Sequence, residues 1–278
     1  MLSYRHGYHA GNHADVLKHA VYAFCLAYLT RKEKPLLLLD THAGGGVYDL
    51  QSPEAQKTGE FRDGVAKVFG RDDAPALLTP WLDRVAAYNA DGVLRRYPGS
   101  PALALDGARS GDRLAFFELH GNEESALARV VGKRPNLSIQ NSDGLQGLLA
   151  LTPPPERRML ALIDPSYEIK SDYAAVVAAV SKAWRKFPSG CYIVWRPVID
   201  RARTDAMAKG FVEAGLSDLY DIELCMEPDT DARGMTGSGL WIINPPYTLP
   251  DAAREALPWL AETLGAAGPV RSEWLIGE

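Results

Sequence analysis

Cysteine is scarce in this chain, and long apolar runs are missing. The 278 residues hold three cysteines, Cys25, Cys191 and Cys225, with no paired spacing. That excludes a disulfide scaffold and a cysteine-type zinc site, and it suits a reducing cytoplasm. The longest apolar stretches, such as LLLL at 36–39, are far too short to span a bilayer. The N-terminus, MLSYRHGYHAGNHAD, has neither an apolar segment nor a cleavage signature, so no signal peptide is expected. Excess positive charge is absent too: the formal net charge is −5. A protein that holds nucleic acid by charge alone is usually basic, so that class is disfavoured. An enzyme with one local basic face remains open. Basic pairs occur at Arg31-Lys32, Arg95-Arg96, Lys133-Arg134, Arg157-Arg158 and Arg185-Lys186. Each pair alone reads most simply as a solvated helix end or loop. There is no internal repeat and no low-complexity tract, and nothing suggests an obligate dimer, so a monomer is expected.

What the chain does hold is an alternating rhythm. Residues 13–30 place Val16, Ala20, Ala23, Phe24 and Ala27 at helical spacing, with Asn12 or His13 available as a cap and Asp15 in the first turn. Short apolar runs follow: LLLLD ending at Asp40, LAFFE at Glu118, LSIQNSD at Asp143, MLALID at Asp164 and CYIVW at Trp195. DLYDIEL and GLWIIN close the series. Runs buried on both faces are typical of central parallel strands, and helix-length stretches such as 173–186 and 201–214 separate them. The expectation is an α/β, Rossmann-like sheet of seven strands. Its last two strands have too short a connection for a crossover and should form an antiparallel hairpin at the sheet edge. Residues 49–97 break the rhythm with amphipathic stretches and no convincing strand. They are expected to be a helical insertion after the first strand unit, carried by a core of 1–48 and 98–278.

Ligands of open parallel sheets bind outside the carboxyl ends of the strands. Here four strands in succession deliver a carboxylate at that end: Asp40, Glu118, Asp143 and Asp164. Gly44-Gly45-Gly46 follows the first and lets backbone approach a ligand. HAGGGVYDL lacks the G-x-G-x-x-G spacing of a dinucleotide site. The acids suit a cationic, hydroxyl-rich cofactor such as S-adenosylmethionine. Glu118 could accept from ribose hydroxyls and Asp143 from the adenine amino group. The fourth strand ends in LIDPSY at 162–167. Methylating an aromatic amine is hard because its lone pair is delocalised. Acceptors for both amine hydrogens help by stabilising the charge that develops. Asp164 can supply a carboxylate and Pro165 a carbonyl, while Tyr167 can stack on a base drawn out of any helix. The plain alternative is a strand-ending Asp-Pro turn.

Asp-Pro-Pro-Tyr after the fourth strand marks adenine-N6 and related amino methyltransferases, and DPSY departs from it at Ser166. Together with MLSYRHGYHAGNHADVLKH, LLDTHAGGGVY, YPGSP at 97–101 and RGMTGSGLWIINPP, it gives the chain an end-to-end resemblance to the RlmJ family of 23S ribosomal RNA adenine-N6 methyltransferases. The resemblance implies a class I methyltransferase core that uses S-adenosylmethionine. It implies a 23S rRNA substrate, methylated at adenine 2030 in the family. It also implies cofactor contacts at His19, His42, Ser100, Glu118, Asp143, Gly144 and Asp164, with Asp164 catalytic; the glycine loop adds Gly44 to the cofactor set, and the turn itself adds Pro165 and Tyr167 to the catalytic one. The resemblance makes Tyr4 a contact to substrate RNA, and Arg5 and Lys18 beside it are further candidates for RNA contact. Ser166 puts the turn geometry in doubt, not the acceptor pair.

Other readings carry less. Asn244-Pro245-Pro246-Tyr247 fits the amino-methyltransferase signature more literally, but it follows the last strand candidate, far from the glycine loop. His9 and His13 have i,i+4 spacing without an HExxH motif or a third ligand, so no metal is expected. Ser100 has no nucleophile elbow. The competing functions are a DNA adenine-N6 methyltransferase and a non-catalytic RNA-binding protein.

Overall fold

The apolar runs become strands of one sheet in the computed structural model, which describes residues 5–229 and 234–277. The strands are β1 (Leu37–Asp40), β2 (Val47–Asp49), β3 (Arg96–Pro98), β4 (Arg113–Phe117), β5 (Leu137–Gln140), β6 (Met159–Ile163), β7 (Cys191–Val198), β8 (Leu219–Cys225), β9 (Gly237–Ile243) and β10 (Val270–Ile276). The helices are α1 (His13–Leu29), α2 (Pro53–Thr58), α3 (Val65–Val68), α4 (Thr79–Ala87), α5 (Ser100–Gly107), α6 (Gly121–Val131), α7 (Gly144–Leu151), α8 (Ser171–Lys186), α9 (Arg201–Glu213) and α10 (Leu249–Leu264).

The main sheet has the order β10-β8-β9-β7-β6-β1-β4-β5. β5, β4, β1, β6 and β7 run parallel. β9 is antiparallel to both β7 and β8. The sheet therefore has eight strands rather than seven. The β8–β9 hairpin forms as expected but does not make the edge: β9 lies inside, between β7 and β8, and β10 pairs antiparallel outside β8. Most β10 side chains are exposed, so it lacks the two-sided apolar run that marks the inner strands.

Strand alternation builds the two layers. Leu38, Leu114, Phe116, Leu160 and Leu162 face one apolar cluster, shared with α1, α4, α5 and α10. Leu37, Leu39, Ala115, Phe117, Ala161 and Ile163 face the other, under α7, α8 and α9. Each fully buried leucine contributes about 1.5–3 kcal/mol, so the run 37–39 is fixed from both sides. α1 is buried almost all round, as a helix packed between layers must be. Asn12 caps it by accepting from the Asp15 amide at 3.0 Å.

The segment after β1 leaves and returns through a two-stranded ladder, with Tyr48 opposite Tyr97. The sequence offered no strand there, because three residues on each side are too few for a visible pattern. Beyond this neck lie α2, α3 and α4. Trp81 and Val85 of α4 are fully buried in the cluster that holds Val16 and Val21 of α1.

Candidate active site

The parallel strands end along one rim, and a cavity of ≈ 370 Å³ opens there. Its wall takes His42 and Gly44 after β1, Glu118 after β4, Asp143 and Gly144 after β5, and Asp164 and Pro165 after β6. Lys18 and His19 come from α1, Ser100 from α5 and Trp195 from β7. The sequence-selected residues His19, His42, Gly44, Ser100, Glu118, Asp143, Gly144, Asp164 and Pro165 thus share one cavity.

Each is held for a local reason. Gly44 adopts φ +61°, and its amide donates to Glu118 Oε2 at 2.8 Å. Glu118 Oε1 accepts from the His120 amide at 2.7 Å, so two backbone donors orient the carboxylate. Asp143 caps α7, its Oδ1 accepting from Leu145 at 2.8 Å and Gln146 at 3.2 Å. At Gly144 a Cβ would lie 1.9 Å from the Thr41 carbonyl oxygen, so only glycine lets this helix start dock against the β1 loop.

Asp40 sits below the wall with no exposure. Ser100 Oγ donates to its Oδ2 at 2.6 Å and the His42 amide to its Oδ1 at 3.1 Å. Burial outweighs these bonds and pushes its carboxyl up to about 7. Burial pushes His19 down to about 3 and His42 to about 4, so both rings are neutral at pH 7. His19 Nδ1 meets the Tyr97 hydroxyl at 2.7 Å, and His42 Nδ1 the Thr41 hydroxyl at 2.8 Å.

Asp164 is the centre of charge. Burial raises its pKa, and Lys18, whose Nζ donates to Asp164 Oδ2, opposes that rise. Lys18 is 4% exposed and also pairs with Asp15 Oδ1 at 2.9 Å. The sequence reading placed Lys18 against RNA. The structure puts it on the cavity wall, paired with the carboxylates of Asp15 and Asp164.

Tyr167 is also placed differently. It is 6% exposed at φ +52°, its hydroxyl donates to the Trp195 carbonyl at 2.7 Å, and its ring packs on Tyr173 and Trp195. It lies behind the wall and is not available to stack on a base. Trp195 presents an aromatic face in its stead, with its Nε1 anchored on Ser238 Oγ at 2.8 Å and Lys18 Nζ 5.8 Å from its ring. Its signal in the sequence was its place near the end of a fifth parallel run. His6, part of the N-terminal MLSYRHGYHAGNHADVLKH run, and Ile169, which no motif singled out, also line the cavity. Arg5 stands outside it, paired with Glu54 of α2. Tyr4 lies outside the described residues.

Asn244-Pro245-Pro246-Tyr247 sits elsewhere. β9 runs antiparallel to β7, which is itself parallel to β6, so its end falls at the opposite rim, among the starts of β6 and β7. Asn244 Nδ2 donates to the Ser189 carbonyl at 2.9 Å, and Tyr247 is 88% exposed. His9 Nδ1 and Asn12 Nδ2 both contact Glu60, at 2.9 Å each. Among the described residues no three His, Cys, Asp or Glu side chains converge as a metal site would need. No helix of the described residues is long and apolar enough to cross a membrane.

A parallel sheet with one reversed inner strand, and a rim cavity walled by strand-end carboxylates, defines a class I methyltransferase fold. Comparison with known proteins agrees. The family described as "Ribosomal RNA large subunit methyltransferase D, RlmJ" matches residues 33–276, and the chain belongs to that family. It is 43% identical over 280 residues to ribosomal RNA large subunit methyltransferase J of Escherichia coli, covering 100% of both chains. It is 42% identical over 281 residues to the Haemophilus influenzae protein of that name, again covering 100% of both. Among solved structures, the Legionella pneumophila protein LPL1258 superposes with a TM-score of 0.88 at 39% identity, over 95% of this chain and 98% of that one.

Proposed function

We propose that the chain transfers a methyl group from S-adenosylmethionine to the N6 amine of one adenine in 23S rRNA, the family position adenine 2030. The observation that carries the reading is the Asp164–Pro165 turn on the wall of a cavity that also presents Glu118 and Asp143.

The residues fit the cofactor by their chemistry. The volume lies in the range of small-ligand sites. Two backbone-held carboxylates suit ribose hydroxyls and an adenine amino group, and Leu119, Leu145 and Ile169 give apolar walls. His19, His42, Gly44, Ser100 and Gly144 complete the holding set. Bound there, S-adenosylmethionine supplies an electrophilic methyl. The chain's own work is to grip the acceptor. Asp164 accepts one amine hydrogen and the Pro165 carbonyl the other, pulling the nitrogen toward a pyramidal, nucleophilic form. Lys18 opposes the rise that burial imposes on the Asp164 carboxyl, and Trp195 offers the face on which the extruded base stacks. Ser166 takes the place of a second proline without changing either acceptor. Tyr167 acts from behind, bracing Trp195 through its carbonyl. Tyr4 and Arg5 belong to the N-terminal segment that would meet RNA, with α2, α3 and α4 beside it as an inserted subdomain.

The test is to incubate the protein with methyl-labelled S-adenosylmethionine and deproteinised 23S rRNA lacking the modification, then digest to nucleosides. Label in N6-methyladenosine supports the reading. Label in DNA but not RNA would make it a DNA enzyme. Tight cofactor binding without transfer would favour a non-catalytic role.

A further inference from the structure

The catalytic turn is reached from the N-terminal segment by an unbroken polar chain. Glu60, just past α2, accepts from Asn12 Nδ2 at 2.9 Å. Asn12 Oδ1 accepts from the Asp15 amide at 3.0 Å. The Asp15 carboxylate is buried, and its Oδ2 meets His6 Nε2 at 2.9 Å and the Gly11 amide at 2.8 Å. Its Oδ1 pairs with Lys18 Nζ at 2.9 Å, and Lys18 pairs onward with Asp164. One carboxylate therefore holds two cavity residues from different segments, His6 and Lys18, on the side where Asp164 must face substrate.

We propose that Asp15 is a positioning residue for methyl transfer: it shares the Lys18 ammonium with Asp164 and fixes His6, so that Asp164 keeps its acceptor strength for the amine. The claim rests on the reading of Asp164 given above. An ammonium bound to Asp164 alone would take the lone pairs that the amine needs. Split between two carboxylates, it neutralises less of either. A purely structural account would make Asp15 the third residue of α1, closing the helix start through the Gly11 amide. That account leaves unexplained why a buried acid faces two cavity residues, Lys18 and His6, rather than solvent.

The groups around Asp164 are Lys18 and Asp15 from α1, His6 from the N-terminal segment, Asp40 at the end of β1 and Tyr167 on its own turn. Asp15 opposes ionisation of Asp164 and Lys18 favours it. Asp15→Asn keeps an acceptor for the Gly11 amide and removes the charge. In the folded variant kcat should fall by about tenfold or more, the scale of a weakened charge-assisted hydrogen bond. The acid limb of its kcat profile should move to lower pH, and cofactor affinity by calorimetry should hold within about twofold. Unchanged kcat, or lower kcat with the limb fixed, would overturn the proposal. Should the variant fail to fold, carboxyl carbon NMR of the unaltered protein decides: Asp15 must stay ionised to lower pH than Asp164, and the reverse order overturns it. An active Asp164→Ala variant would instead sink the reading of Asp164. An inactive Asp164→Ala beside a normal Asp15→Asn sinks only the role of Asp15.

Discussion

Asp40 and Asp164 end neighbouring strands and both are buried, yet only Asp164 has an ammonium at ion-pair distance among the described residues. Burial raises the pKa of both, and at Asp164 the Lys18 ammonium opposes that rise directly. Asp40 is held near 7 by burial, well above an unfolded aspartate. The sign follows from linkage: the native state keeps its proton while the unfolded state loses it, so stability falls as pH rises from about 4 to about 7 and then levels. Asp40→Asn mimics the protonated acid and can still meet Ser100 and the His42 amide. Denaturant midpoints at pH 5 and pH 8 should differ less in this variant than in the unaltered protein, and an equal difference would show that Asp40 does not carry the pH dependence in that window. The sequence placed both acids at strand ends but could not separate them, because their environments depend on Lys18 and Ser100, which are distant in the chain. It likewise chose Tyr167 over Trp195. Residue type and order suggested a stacking ring, whereas a left-handed φ at Tyr167 turns that ring inward.

At the scale of elements, the strand-then-carboxylate pattern was legible because inner parallel strands are apolar on both faces and stop at polar ends. β10 was not, since an exposed edge strand carries no such mark. Neither was the β2–β3 neck. The start of α7 shows how tightly an element can set a site. Gly144 has the Thr41 carbonyl where a Cβ would lie, and Asp143 one residue earlier caps the helix. Gly144→Ala should push α7 and its cap away from the β1 loop. The expected result is a loss of cofactor affinity of about tenfold, or 1.4 kcal/mol, in calorimetry, with far-ultraviolet circular dichroism retained. Unchanged affinity would mean that the Asp143–Gly144 turn does not touch the cofactor.

At the scale of the whole molecule, topology decides between two motifs that the sequence alone leaves in competition. DPSY and NPPY both end strands, and the second is the better literal match. One strand is parallel to β1 and the other is reversed, so their ends lie at opposite rims of one sheet. Only the first meets the glycine loop and the acids. The acidic total charge fits recognition of a local RNA shape, with the extruded base received at that rim. The most direct measurement is single-turnover methyl transfer to 23S rRNA by Asp164→Ala and Asn244→Ala, each shown to be folded. The account predicts a loss of about a hundredfold or more for Asp164→Ala, the scale of a lost charge-stabilising acceptor, and a rate within about threefold of normal for Asn244→Ala. A normal rate for Asp164→Ala together with a collapsed rate for Asn244→Ala would contradict it.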